Sequence, residues 1–213
     1  MEGYKIFEEE SALVIKEFSK LTLLFDNNIP FLRGMFDLIG QDGSLEDSYE
    51  IEIRAGINYP NEFPELFEIG GKIPKNIDWH IYAEGNCCIC SPPEEKIICY
   101  DGIDLIKFIK SQVQPYLFNQ TFRRKNGYFL KERSHGALGW IEFFYEILKT
   151  KNISNIIMAL NMVMSKQEPD RTALCFCGSK KKYRHCHRDA FRELAKLEEA
   201  GLNYYITELK NYI

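Results

Sequence analysis

The sequence predicts an α+β fold, an antiparallel meander of strands between an opening helix and later helices, followed by a small helical module rich in metal-ligand side chains. Three observations carry this. Tyr49, Ile51 and Ile53 alternate with Glu50, Glu52 and Arg54, the two-residue period of a half-buried strand. Apolar residues recur at helical spacing before and after that region. The stretch CFCGSKKKYRHCH crowds three cysteines and two histidines into residues 175–187. A chain of 213 residues that is 45% hydrophobic and 14% aromatic can fill one good-sized core and a small appendage.

In order along the chain, Val14, Phe18, Leu21 and Phe25 share one helical face, which predicts an opening helix over 11–25. Pro30 closes the connection. FLRGMFDLIG reads as a strand, QDGS as a turn, and 49–54 as the next strand. A further apolar piece, 66–69, follows the kinked segment from Tyr59 to Pro64, whose two prolines impose extended or turn geometry. Leu105, Ile106, Ile109, Val113 and Tyr116 predict a helix ending near Pro115. A polar loop is expected over 119–138, basic at Arg123-Arg124-Lys125 and holding Ser134-His135-Gly136. Trp140, Phe143, Phe144, Ile147 and Leu148 mark another helix, and Asn152 and Ser154 offer caps for a short one through Met164. The expected division is a domain over 1–150 and a helical module over 151–213.

Composition narrows the function classes. The acidic N-terminus lacks a signal-peptide pattern, and the apolar stretch 153–164 contains asparagines and is too short to span a bilayer. A cytoplasmic protein with no membrane partner is the expectation. Seven clustered cysteines, an odd number, argue against an extracellular disulfide framework and for metal binding or chemistry. Residues 151–213 hold 11 Lys and Arg against 7 Asp and Glu, whereas the first 150 hold 16 against 24, an asymmetry that suggests two units with different partners. A pI near 5.7 argues against a dedicated nucleic-acid binder.

The tail carries a C-x-C-x8-C-H pattern. Thiolates and imidazole are preferred zinc ligands, and four of them close a tetrahedral structural site, which makes Cys175, Cys177, Cys186 and His187 the expected ligands of one zinc. The stretch resembles the SEC-C motif, matched at Cys175, Cys177, Gly178, Ser179, Lys181, Lys182, Tyr183, Cys186 and His187. Seven basic residues against one acidic between Arg171 and Arg192 suit docking on an acidic protein or RNA surface, and equally a solvated face with no partner.

In the middle, IYAEGNCCIC places Cys87, Cys88 and Cys90 within four positions. Cys87-x-x-Cys90 has the spacing of a zinc half-site and of a redox pair. A zinc site needs two further ligands, with only Cys99 and His80 near in sequence, and a redox motif should follow a strand and open a helix, which Ser91-Pro92-Pro93-Glu94 cannot start before the prolines. The third reading is a single nucleophile.

That reading rests on a likeness. Tyr59, Pro60 and Pro64 after a strand meander, then DWHIYAEGNCC, resemble the ubiquitin-conjugating enzymes over roughly residues 8–150. The resemblance implies a four-stranded meander between an N-terminal helix and C-terminal helices, with Cys88 as the nucleophile that holds a protein C-terminus as a thioester and passes it to an amine or thiol. Cys87 and Cys90 are then packing residues. The family's His-Pro-Asn triplet is replaced by Asp78-Trp79-His80, so the asparagine's position falls on His80, an oxyanion donor or base by this reading and a flap-fixing residue by the plainer one. His135, beside Gly136, is the second candidate.

The whole resembles prokaryotic relatives of that family, often found in anti-phage operons, including cyclic-oligonucleotide (CBASS) systems. It implies as partner a protein with a flexible C-terminal tail, a cGAS-like nucleotidyltransferase or a ubiquitin-like protein, and a separate activating enzyme if one is used. Two rivals stand beside it. One is a catalytically inert adaptor of the same fold, and the other is a thiol hydrolase of such conjugates using Cys88 with His80 or His135.

Overall fold

A computed structural model describes residues 2–212. The chain divides into two compact units, the first running to Cys90 and resuming over Ile98–Glu132, the second comprising Ser91–Ile97 and the chain from Arg133 onward.

The first unit opens with helix α1, Glu2–Glu17, followed by strand β1, Leu21–Asp26. This corrects the helix expected over 11–25. The apolar spacing straddles the junction: Val14 lies buried in the last helical turns, Leu21 is buried at the start of a strand, and Phe25 is 53% exposed near its end. Asn27 and Asn28, at φ 48° and 68°, make a two-residue turn with both central residues left-handed, the form whose twist suits a hairpin. Strands β2, Ile29–Ile39, β3, Leu45–Arg54, and β4, Glu65–Glu68, complete an antiparallel sheet in the order β1-β2-β3-β4. Gly34 in β2, paired with Leu21, has φ 152°, and a Cβ there would meet the Lys20 carbonyl oxygen at 2.0 Å, so no larger residue fits under the turn into β1.

Leu32, Phe36, Leu38, Tyr49, Ile51 and Ile53 line the core face of the sheet, together with Phe7 and Val14 of α1. On the opposite face Glu52 is also buried, 4% exposed, and is paired with Arg54, whose guanidinium lies over the rings of Phe31 and Phe67.

The helix expected to stop at Pro115 continues through it. It consists of α3, Leu105–Phe108, a π-helical turn over Ile109–Val113, and α4, Gln114–Asn126, closed by Gly127 at φ 86°. Proline lacks a donor for the carbonyl one turn back and its ring crowds that carbonyl; a wider π turn immediately before it relieves both. The loop expected over 119–138 is therefore helical as far as Asn126.

The second unit is helical. It holds α2, Pro92–Ile98, apart from its final residue, then α5, Ala137–Leu148, α6, Ile153–Met164, α7, Arg188–Leu194, and α8, Glu199–Leu209. Pro92 and Pro93 occupy the first turn of α2, where their missing donors are not needed. Asn152 caps α6 as its sequence position suggests, accepting from the Asn155 amide at 3.0 Å.

Trp140, Phe144, Leu160, Tyr183, Phe191 and Leu202 belong to a single core. Residues 133–150, grouped by sequence with the first domain, thus lie in this unit, because the aromatic face of α5 is buried in its core. Arg133, only 18% exposed, pairs there with Glu94 and Glu146. Among the described residues no helix is long and apolar enough to cross a membrane.

Candidate functional site

Two sets of chemistry-bearing side chains emerge, one in each unit. In the first unit the segment after β4 enters a short 3₁₀ turn, Ile77–Trp79, capped by the Asn76 side chain at the Trp79 amide. His80 follows in the left-handed region at φ 54° and ψ 41°. Ile81 then pairs with Cys87 across a tight loop in which Gly85 takes φ 96°, and the Cys87 amide reaches the Leu66 carbonyl at 2.7 Å. These bonds fasten the loop to β4.

The extended backbone at 87 turns neighbouring side chains to opposite sides. Cys87 is buried, its thiol pushed up to about 12 chiefly by that burial. Cys88 is half-buried, and its amide donates to the His80 carbonyl at 2.7 Å. Burial raises the Cys88 thiol above the ordinary range, and a hydrogen bond from the Tyr82 hydroxyl works in the other direction. Cys90 is half-buried against the edge of the core.

His80 itself packs edge-on to Phe129, ring centroids 5.1 Å apart, and a ring nitrogen lies within 4.8 Å of a Glu132 carboxylate oxygen, which can orient the imidazole. Its backbone carbonyl is the atom that joins it to Cys88. His135 belongs to the second unit, half-buried two residues before α5.

In the second unit Cys175, Cys177, Cys186 and His187 bring one ligand atom each to within 4.8 Å of all the others. Cys175 Sγ and Cys186 Sγ lie 3.1 and 3.3 Å from His187 Nδ1, and Cys177 Sγ lies 3.6 Å from Cys186 Sγ. Zinc with bonds of about 2.3 Å to sulfur and 2.05 Å to nitrogen has tetrahedral edges of about 3.8 Å (S···S) and 3.5 Å (S···N), so these separations suit a single tetrahedral ion.

His187 Nε2 faces the Leu148 carbonyl at the end of α5. The proton is thereby held on Nε2 and the lone pair of Nδ1 is left toward the sulfurs. Burial works against ionisation of Cys177, yet the Ser179 hydroxyl and amide outweigh it and bring the thiol down, whereas burial raises that of Cys175. The cluster sits on the knuckle turn, where Gly178 at φ 74° lets the first arm fold back and Leu174 pairs with Lys182.

Residues 171–189 match the SEC-C motif. No curated protein and no solved structure gives a match.

The residues that sequence reasoning missed are Tyr82, Tyr116 and Gln120. Tyr82 sits inside the quoted stretch, six residues before Cys88. Gln120, 1% exposed, was hidden because α4 was expected to have ended before it.

Proposed function

We propose that the first unit is a ubiquitin-conjugating-like cysteine transferase and that the cluster in the second unit holds a structural zinc. The observation that carries the first part is Cys88, a half-buried thiol on a loop fastened to β4, within a stretch that resembles the family's sequence around its nucleophile. The order of helix, four-stranded meander, irregular site segment and following helix supports the same reading.

In this chemistry the Cys88 sulfur attacks the activated C-terminal carbonyl of a carried protein, the activating group leaves, and a thioester forms. An acceptor amine then attacks that carbonyl, loses its proton, and expels the Cys88 thiolate. The carbonyl oxygen becomes negative as the amine attacks, and an imidazole N–H of His80 is the donor assigned to it. His135 is the alternative. The carried protein, a cGAS-like nucleotidyltransferase or ubiquitin-like protein with a flexible tail, and any activating enzyme are separate chains, and the setting is bacterial anti-phage conjugation in the cytoplasm.

The test is capture of the partner as a reductant-sensitive adduct. Cys88→Ser should abolish it or convert it to a stable ester, while Cys87→Ser and Cys90→Ser should retain it. An adduct that survives Cys88→Ala would refute the assignment.

A second reading is an inert adaptor of this fold, in which Cys88 is a half-buried packing thiol; on that reading no adduct forms and the partner's tail binds without reaction.

For the tail, three thiolates and one imidazole leave no open position for catalysis. Zinc would lend charge and cross-linking to a turn with little apolar core of its own, and elemental analysis of purified protein should give one zinc per chain.

A further inference from the structure

Three side chains of α4 reach three consecutive backbone carbonyls of the site segment. Arg123 donates to the carbonyl of Asp78, Gln120 Nε2 to that of Trp79 at 2.8 Å, and the Tyr116 hydroxyl to that of His80 at 3.1 Å. Spacings of three and four residues put all three donors on one helical face, and their order along the helix runs opposite to the order of the carbonyls. The Arg123 guanidinium is also held between two rings, 4.1 Å from the Trp79 centroid and 4.3 Å from that of Phe129. The His80 carbonyl receives a second donor, the Cys88 amide at 2.7 Å. One oxygen thus links α4 to the backbone of Cys88.

Two features show that this row does more than fill space. Gln120 is 1% exposed, and a buried amide is costly where an aliphatic side chain would serve packing better. His80 holds φ 54° and ψ 41°, a region that non-glycine residues keep only when the surroundings over-determine it. The Tyr116 hydroxyl and the Cys88 amide meet at the carbonyl of that residue, and Gln120 fixes the one before it.

We infer that Tyr116 and Gln120 are positioning residues for Cys88, fixing the backbone of Asp78-Trp79-His80 and, through the shared His80 carbonyl, the backbone from which the Cys88 thiol projects. The inference rests on the reading of Cys88 as the nucleophile. It gives the helix after the site a defined task, because an error of about 1 Å in the placement of a reacting group costs on the order of 100-fold in rate.

The experiment uses the full chain with Tyr116→Phe, which removes one oxygen, and Gln120→Met, which keeps length and loses the donor, singly and together. Exchange of the Cys88 amide is followed by NMR alongside amides of β2 and β3, and formation of the thioester with the captured partner is timed. Each single variant should lower protection of the Cys88 amide about 5- to 10-fold, the worth of one buried hydrogen bond, while sheet amides keep wild-type protection. The double variant should slow thioester formation by more than either single change.

Unchanged Cys88 protection in both single variants overturns the inference, as does a loss shared equally with the sheet, which marks a merely structural role. Thioester formation at the wild-type rate despite lost protection also overturns it. A chain that loses Cys88 protection as expected but whose wild type never forms a thioester retains the linkage and ends the reading of Cys88 as nucleophile, so the two failures are separate. The single-atom change Tyr116→Phe keeps the test decisive if the double variant does not fold.

Discussion

Replacing Asp47 by Asn should loosen the first unit at neutral pH and have no effect in strong acid. Asp47 sits near the start of β3, its side chain 8% exposed. It accepts from Lys72 Nζ at 2.8 Å, the Ser48 amide at 2.9 Å and Thr121 Oγ1 at 2.9 Å, and from the Arg124 guanidinium. Two of those donors lie on α4, next to Gln120 and Arg123, so this carboxylate anchors to the sheet the same helix that holds the site segment.

Burial disfavours the charged form, but the Lys72, Ser48, Thr121 and Arg124 contacts outweigh it and bring the carboxyl from 3.8 down to about 2. That difference corresponds to at most about 2.4 kcal/mol of stability. Solvent reaches Lys72 and Arg124, 39% and 32% exposed, and screening reduces the figure to about 1–2 kcal/mol. A folded-state pKa below the unfolded one gives a contribution that is complete above the ordinary carboxylate range and lost as pH falls from about 4 to about 2. Asp47→Asn should therefore lower the melting temperature of the first unit by about 3–8 °C at pH 7. Thermal unfolding followed by near-UV circular dichroism at pH 7, 4 and 2 measures it, and the gap between variant and wild type should close toward pH 2. A gap of equal size at pH 7 and pH 2, or none at pH 7, would refute the electrostatic account.

Three further outcomes are expected. Alkylation of Cys88 by iodoacetamide, read by peptide mass spectrometry, should have a pH midpoint above that of an ordinary thiol because burial raises it, and Tyr82→Phe should raise the midpoint further by removing a donor to the thiolate; a midpoint unmoved by Tyr82→Phe removes that hydroxyl from the account. Chelation should release one zinc and reduce amide protection in α5 as well as in 171–189, since His187 bonds the Leu148 carbonyl and Tyr183 and Phe191 share the core of α5, with the first unit left standing; loss confined to 171–189 contradicts this. His80→Ala should slow acceptor transfer far more than thioester formation, on the order of 100- to 1000-fold if the ring donates to the oxyanion, with rescue by His80→Asn, whereas equal loss in both steps with a lowered melting temperature assigns His80 to the flap alone and moves the catalytic test to His135.

The parts of the fold legible in the sequence are those where one local pattern has one physical cause. Alternation over Tyr49–Arg54 marked a strand, and Asn152 marked the start of α6, since each signal is complete within a few residues. The opening failed because Val14, Phe18 and Leu21 keep helical spacing across a helix that ends and a strand that begins; the Asn27-Asn28 turn was the feature that distinguished them. Pro115 misled for a related reason. A proline ends a regular α-helix, but a π turn over Ile109–Val113 absorbs its missing donor, and nothing local in the sequence announces that widening. The error then concealed Gln120 and Arg123, read as loop residues when they lie on the face of α4 that meets the site.

The same contrast separates the two candidate sites. Ligands of a tetrahedral ion must lie within a few ångströms of one another, so a C-x-C-x8-C-H spacing nearly determines which four atoms meet, and the structure brings together the four that it names. The surroundings of a single reactive side chain obey no such rule. Cys88 owes its amide bond to His80, eight residues away, its thiol partner to Tyr82, and the fixing of its neighbours to donors on α4, 36 to 45 residues from the carbonyls they reach. Only the first two lie within a motif-length window. Asp78-Trp79-His80 carries no proline to restrain its backbone locally, and the row of Tyr116, Gln120 and Arg123 supplies a distant restraint; a helix that passes through Pro115 without breaking is what brings that row into reach.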